Sequence, residues 1–292
     1  AFHRHRQAQG RRARLLSMLL VEVDGHHEVP LRRAPALAAA CGEAWGPPDG
    51  RPCVVALREL LGLVGAHEWR RKGVALPALG PEPDNRIHPH YGVFSPVRGE
   101  YLDLLAQAPL PADTSLAFDV GTGTGVVAAL LARRGIAQVQ ATDTNPRALA
   151  CAAENLQRLG LQARVTLLPA DLFPPGRAPL VVCNPPWLPG RPVSALEAAV
   201  YDPDGRMLAG FLGGLREHLA PGGEGWLVMS DLAEWLGLRP AGALQAQVEA
   251  AGLRVAGRTQ VRPRHPKASD AGDPLAAARS RETTSLWRLV PA

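Results

Sequence analysis

The part of the chain after residue 115 alternates short apolar runs with helical patterns, and this alternation most constrains the fold. Apolar runs at 116–120, 139–142, 164–168 and 180–183 are interrupted by helical patterns at 125–134 and 146–159. Further on we expect helices at 207–219 and 232–251 and strands at 225–229, 253–260 and 285–290. Such alternation predicts an α/β fold in which helices cover both faces of a largely parallel sheet. Too few residues separate the last two strands for another long crossover helix, so an antiparallel return at the sheet edge is expected.

The preceding residues have a different composition and predict a smaller domain. Apolar residues recur at helical spacing between residues 30 and 79, with Val54 and Val55 among them, which favours a mostly helical domain. A Gly- and Pro-rich stretch begins at Gly80 and is typical of a turn or linker. We therefore predict a basic tail and helical domain at 1–80, a linker or hairpin at 81–98, and a larger domain at 99–292.

The net charge of +5 arises from the amino-terminal tail, where five arginines occur without an acidic residue. Such a tail is more often solvated and disordered than a binding element, so the charge does not identify nucleic acid as a partner. The chain does not begin with Met and Met18 opens a more ordinary segment. We expect part of the tail to lie outside the functional protein.

Neither the apolar runs nor the cysteines suggest a membrane, metal or secretory protein. No run approaches the ~20 apolar residues that a bilayer crossing needs, and no signal peptide follows the tail. The four cysteines are widely separated, which favours buried free thiols over a zinc site or disulfides. We predict a cytoplasmic protein with no metal and no membrane partner.

A glycine-rich loop follows the first strand, in the sequence Asp119-Val120-Gly121-Thr122-Gly123-Thr124-Gly125. Such a loop before a helix lets a ligand approach the backbone, and Asp143 at the end of the second strand is placed to bind ribose hydroxyls. After the third strand, Asp171-Leu172-Phe173 offers a carboxylate and a ring for an adenine. The candidate cofactor-binding residues are Asp119, Gly121, Thr122, Gly123, Gly125, Asp143, Asp171, Leu172 and Asn184.

The loop alone suits either a nicotinamide dinucleotide or S-adenosylmethionine. A carboxylate at Asp119 would repel a pyrophosphate, whereas it can pair with the ammonium group of S-adenosylmethionine. This charge argument favours the second ligand modestly.

The most specific motif is Asn184-Pro185-Pro186-Trp187, which follows the fourth strand. The prolines restrict the backbone, so the Asn184 side chain and the Pro185 carbonyl form two fixed hydrogen-bond acceptors. Two such acceptors can take both N–H groups of a planar amide or amine, and Trp187 can stack on that group. We predict catalytic roles for Asn184, Pro185 and Trp187.

Together, these motifs resemble class I methyltransferases that modify exocyclic or amide nitrogens, and within them the glutamine-amide methyltransferases of release factors and ribosomal proteins. The resemblance covers roughly residue 97 to the end. It implies a Rossmann-like seven-stranded sheet with an antiparallel last strand and S-adenosylmethionine contacts at Gly121, Asp143 and Asp171. Tyr201-Asp202-Pro203 resembles a segment that follows the family's NPPY motif.

This chain departs from the family at two places that bear on the substrate. Trp187 replaces the family's tyrosine, and the segment Phe94-Ser95-Pro96-Val97-Arg98-Gly99-Glu100 matches the family pattern only in part.

Several functions stay open at this point. Methyl transfer to a protein glutamine is favoured by the helical front domain, and transfer to an adenine-type amino group of RNA or DNA is the alternative. A small-molecule amine is a third acceptor class. From outside the transferases come a cofactor-binding module without activity and a nicotinamide enzyme.

Overall fold

A computed structural model describes residues 2–191, 200–263 and 275–292. The chain forms two compact units, of which one comprises Ala1–Gly73 with His88–Tyr91 and the other Val74–Ile87 with Gly92–Ala292. This division differs from the predicted boundaries at residues 80 and 98. The reason is local pairing: β3 (Val74–Ala75) is antiparallel to β4 (Arg86–Ile87), which places the Gly- and Pro-rich turn within the second unit.

The first unit combines helices with a two-stranded antiparallel sheet. Its elements are α1 (Phe2–Leu16), β1 (Leu20–Val23), α2 (Ala38–Trp45), β2 (Cys53–Ala56) and α3 (Leu57–Lys72). Two predictions were wrong here. The basic tail is helical instead of disordered, since most of its residues are Arg, Gln, Ala and Leu, which are good helix formers. Val54 and Val55 lie in β2 instead of a helix, as suits β-branched side chains.

The second unit contains a seven-stranded sheet in the order β12-β13-β11-β8-β5-β6-β7. Its strands are β5 (Leu116–Val120), β6 (Gln138–Asp143), β7 (Val165–Pro169), β8 (Ala178–Cys183), β11 (Leu219–Ser230), β12 (Leu253–Val261) and β13 (Thr284–Pro291). Its helices are α4 (Glu100–Gln107), α5 (Val126–Arg133), α6 (Pro146–Arg158), α7 (Arg206–His218), α8 (Leu232–Trp235), α9 (Ala243–Ala250) and α10 (Ala276–Arg279). The short strands β9 (Leu188–Pro189) and β10 (Tyr201–Asp202) pair in parallel beside it.

The predicted fold class is confirmed. Strands β5, β6, β7, β8 and β11 are parallel, and β13 is antiparallel to both of its neighbours, β11 and β12. One predicted helix was wrong, because residues 232–251 form α8 and α9 instead of one continuous helix. Gly237 and Gly242 adopt positive φ angles, and Pro240 between them cannot donate a helical hydrogen bond.

Apolar side chains fill both faces of the sheet. On one face, α4, α5 and α6 contribute buried leucines such as Leu105, Leu131 and Leu156. On the other, α7 and α9 contribute Phe211 and Val248. The sheet is thereby fixed between two helical layers, and the loops at its edges are left to carry polar groups. No helix among the described residues combines the length and the apolar content that a membrane span requires.

A half-buried ion pair joins β11 to β13. The Arg288 guanidinium donates to both carboxylate oxygens of Glu224, at 2.8 Å from Nε and 2.6 Å from the terminal nitrogen, and the Trp226 indole also donates to Glu224. These donors favour the charged form and hold the pKa of Glu224 below its ordinary value of 4.5.

We expect Glu224→Gln to lower the free energy of unfolding at pH 7 by about 1–3 kcal/mol, since it removes charge-assisted hydrogen bonds. A depressed folded-state pKa contributes stability above the ordinary value of 4.5 and loses it as the pH falls through the folded value. The difference between the wild type and the variant in urea unfolding should therefore shrink below pH 4.5. A difference independent of pH would contradict this account.

Candidate active site

The loops that carry the predicted motifs leave neighbouring strands at one edge of the sheet. At the ends of the strands, Val120 of β5 is in register with Thr142 of β6 and with Cys183 of β8. The register of β6 with β7 aligns Asp143 with Pro169. Because these strands are parallel, the glycine loop, Asp143, the turn at Asp171 and the Asn184 motif all begin at this edge.

The glycine loop is tied to the neighbouring strand by its backbone. The amides of Gly121 and Thr122 both donate to the carbonyl of Thr142, at 3.0 and 2.8 Å. Gly125 has a φ of 79°, and a side chain there would lie 3.0 Å from the Ala152 Cβ, so glycine permits α5 to approach α6. A Cβ placed on Gly123 would meet no atom within 4 Å, which leaves this part of the loop open to a ligand.

The Met207 side chain covers Gly121. A Cβ on Gly121 would lie only 2.4 Å from the Met207 Cε, so the beginning of α7 closes over the first glycine of the loop. The beginning of that helix is held by Asp202, whose carboxylate accepts from the amides of Met207 and Leu208 at 3.0 and 3.1 Å. Asp202, which the sequence marked only as part of a family-like segment, therefore acts as a helix cap.

Asp119 is 2% exposed and bonds within its own loop. Its Oδ2 accepts from the Thr122 hydroxyl at 2.6 Å and from the Ala128 amide at 3.0 Å. Burial raises the pKa of Asp119 to about 7 despite these donors, and the nearby Asp143 carboxylate adds to the rise. Within the described part of the chain both hydrogen bonds to this carboxyl end on Oδ2, so Oδ1 is the oxygen that can serve another group.

Asp143 is oriented by backbone amides on both of its oxygens. Oδ2 accepts from the Gly123 amide at 3.0 Å, and Oδ1 accepts from the Asn145 amide at 2.9 Å. A carboxylate oxygen accepts more than one hydrogen bond, so these contacts fix the orientation of the carboxylate and leave it able to accept further hydrogen bonds. The half-buried Asp143 is thus directed at the open part of the glycine loop.

The turn after β7 differs from the prediction in one respect. Phe173 does not present its face to a ligand, because its ring stacks on His218 at 4.2 Å and on Phe211 at 5.8 Å. Asp171 remains about half exposed and forms an ion pair with Arg206 of α7. Leu172 has a φ of 69°, and its carbonyl accepts from the Thr142 hydroxyl, which ties this turn to the end of β6.

The Asn184 motif contains a hydrogen bond that the sequence did not suggest. The Trp187 indole donates from Nε1 to Asn184 Oδ1 at 3.0 Å. The Asn184 oxygen has two lone pairs, so one is left for another donor. The adjacent Cys183 is buried, and burial raises the pKa of its thiol well above the ordinary value, so this thiol is not a nucleophile at neutral pH.

Comparison with known proteins assigns the family. The model of the methyltransferase small domain family matches residues 84–235, which is just over half of the chain. The chain belongs to this family. The S-adenosylmethionine-dependent methyltransferase domain inferred from the glycine loop and the Asn184 motif is therefore confirmed.

The chain is also similar to individual methyltransferases. It is 38% identical over 159 residues to a release factor glutamine methyltransferase of Cereibacter sphaeroides, covering 52% of this chain and 54% of that protein. It is 37% identical over 123 residues to ribosomal RNA small subunit methyltransferase C of Alcanivorax borkumensis, covering 40% and 34% respectively. The chain thus spans about half the length, or less, of these curated relatives.

Among solved structures, the fold resembles a geranyl diphosphate methyltransferase determined in complex with S-adenosylmethionine. The TM-score is 0.50 at 12% identity, over 75% of this chain and 97% of that chain. At this identity the likeness supports the fold alone.

Several residues at this edge had no distinct signal in the sequence. Arg206 and Met207 begin α7 and reach the Asp171 turn and Gly121. Arg98 lies over the ring of Trp187, and Glu282 pairs with Arg98 from a segment far away in the chain. Only the tertiary arrangement identifies them, although the departure from the family pattern around Arg98 marked that segment.

We expect the pKa of Asp119 to make stability pH-dependent. A folded-state pKa of about 7, above the ordinary 3.8, favours the folded state at low pH, and this contribution is lost as the pH rises through about 7. In urea unfolding without cofactor, the stability of the wild type relative to Asp119→Asn should fall by up to ~1.4 kcal/mol per pH unit between about pH 5 and pH 7. Asp171→Asn, at an exposed carboxylate of the same edge, is the control variant. A flat difference for Asp119→Asn would refute the assignment.

Proposed function

We propose that this chain transfers a methyl group from S-adenosylmethionine to a planar amide or amino nitrogen, and that the acceptor is a glutamine side chain of a protein. One observation carries the proposal: Val120 of β5 and Cys183 of β8 are in register, so the glycine loop and the Asn184 motif begin side by side. A cofactor site and a pair of acceptor oxygens are thereby neighbours.

The residues present fit the cofactor. The open side of Gly123 admits a ligand to the backbone, and the oriented Asp143 carboxylate suits ribose hydroxyls. Asp119 Oδ1 is available to an ammonium group, which would favour the ionised form of this carboxyl. Asp171 would reach an adenine amino group from the exposed end of the site, and Leu172 and Asn184 would complete the contacts. S-adenosylmethionine supplies an electrophilic methyl group on a sulfonium.

The Asn184 motif supplies acceptors for the incoming nitrogen. The remaining lone pair of Asn184 Oδ1 and the Pro185 carbonyl would accept the two N–H groups, which directs the nitrogen lone pair away from them. The Trp187 ring offers a flat apolar surface to the planar group. Catalysis then consists mainly of holding the nitrogen in line with the methyl group. The carbon–nitrogen bond would form as the carbon–sulfur bond breaks, with S-adenosylhomocysteine as the leaving group, and the nitrogen would lose one N–H proton to solvent.

A protein acceptor is favoured by the activities named for the matched relatives and by the net charge of the chain beyond its basic tail. The matched relatives include release factor glutamine methyltransferases and a ribosomal protein uL3 glutamine methyltransferase. Beyond the basic tail the chain is formally neutral, and nucleic-acid binding usually depends on a basic surface.

RNA is the second candidate acceptor, since one relative is a ribosomal RNA methyltransferase. Arg254, Arg258 and Arg262 support it, being on or beside the edge strand β12. The sequence continues with Arg264 and Lys267, which lie outside the described residues.

We expect Asn184→Ala to abolish most methyl transfer while lowering cofactor affinity far less, because Asn184 would supply only one of several cofactor contacts. Removing one fixed hydrogen-bond donor that acts in the transition state costs about 100- to 1,000-fold in turnover, and we expect a loss of this order for a fixed acceptor. Labelled methyl transfer to release factor, ribosomal protein and ribosomal RNA fractions measures turnover, and calorimetric titration with S-adenosylmethionine measures affinity. Wild-type protein that binds the cofactor but labels no fraction would instead indicate a binding module without activity.

Salt dependence separates the two acceptor classes. A protein acceptor should give a KM that changes little with salt, whereas each phosphate contact to single-stranded RNA adds about −0.7 to the slope of log affinity against log salt. A slope steeper than about −3 would favour RNA over protein.

A further inference from the structure

We infer that Arg98, held by Glu282, is a positioning residue that orders Trp187 and through it the Asn184 amide. The inference rests on the proposed function for its catalytic consequence, but its structural part stands on contacts among described residues of the second unit.

Arg98 lies beside the ring of Trp187. Its guanidinium carbon is 5.8 Å from the ring centroid, within the range of a cation–π contact. At the edge of the same ring, the indole N–H of Trp187 donates to Asn184 Oδ1. The ring of Trp187 is therefore held at two points, by a cation at its face and by an acceptor at its edge.

Two buried carboxylates fix Arg98. A terminal nitrogen of its guanidinium is 3.1 Å from Glu282 Oε2, and its Nε is 3.3 Å from Glu100 Oε1. Glu282 is 1% exposed and also accepts from the Ser230 hydroxyl at 2.8 Å. A buried carboxylate is costly unless it is paired, so the Glu282 partners are held in place by the penalty for separating them.

The contacts join segments that are remote in sequence at one edge of the sheet. Arg98 precedes α4, Trp187 follows β8, Ser230 ends β11 and Glu282 precedes β13. What distinguishes the contact of Arg98 with Trp187 from that of Arg258 with Trp287 is that the indole of Trp187 also donates to Asn184. The location of Arg98 beside the ring that orients Asn184 points to a role in the acceptor site.

The test uses hydrogen exchange of the indole N–H groups, measured by ¹H–¹⁵N NMR on the full chain without acceptor. Trp→Phe substitutions assign the indole signals of the six tryptophans. Arg98→Met and Glu282→Gln should each accelerate exchange at Trp187 by about 2- to 30-fold, the factor that a cation–π contact carries. Glu282→Gln is informative because it retains Arg98 and its contact with Glu100 and removes only the charge of the second anchor.

A matched control exists in β12. Arg258 lies over the Trp287 ring at 4.1 Å, so Arg258→Met removes a similar contact outside the candidate site. This variant should change exchange at Trp287 and leave Trp187 unchanged. Arg98→Lys keeps the charge but loses the planar fork, and should restore part of the protection at Trp187.

The kinetic arm distinguishes this inference from the proposed function. With an acceptor that the wild type methylates, Arg98→Met should lower kcat about 2- to 30-fold with no comparable change in cofactor Kd. If the wild type methylates no acceptor, the proposed function fails, and the exchange data still decide whether Arg98 orders Trp187. Unchanged exchange at Trp187 in both Arg98→Met and Glu282→Gln would overturn the inference.

Discussion

The parallel pairing of β5 with β6 and β8 is the constraint on which the rest of the second unit depends. Parallel strands begin their outgoing loops at the same edge, and the register at Val120 aligns those loops to within a residue. The amides of Gly121 and Thr122 then bond to the end of β6 and set the path of the glycine loop. Residues distant in sequence thereby become neighbours at the ends of the strands.

The parts of the fold that follow from local patterns were predictable from the sequence. The strands around Val120 and Cys183 were recognised because apolar runs bounded by breakers have few other interpretations. The prediction of one helix at 232–251 was wrong because the apolar periodicity was given more weight than the two glycines and the proline that interrupt the helix. In the same way, the helical spacing around Val54 concealed a strand whose partner, β1, lies more than 30 residues away.

For the candidate site residues, too, the sequence predicted their positions but not their side-chain contacts. Asp119, Asp143 and Asn184 lie at strand ends, so their common edge could be inferred from position alone. The sequence does not reveal what each side chain bonds to: Asp119 binds its own loop, Phe173 packs against α7, and Arg98 reaches Trp187. Such pairings depend on side-chain directions that are fixed only when the helices dock.

The bond from the Trp187 indole to Asn184 has a consequence for how far methylation proceeds in the proposed reaction. An indole nitrogen donates and cannot accept, so it fixes which end of the Asn184 amide is the oxygen. The site then offers only acceptors to the incoming nitrogen. An unmodified amide fills them with two N–H groups, whereas the methylated product has one. The product is therefore held by fewer hydrogen bonds than the substrate, which favours its release after a single transfer.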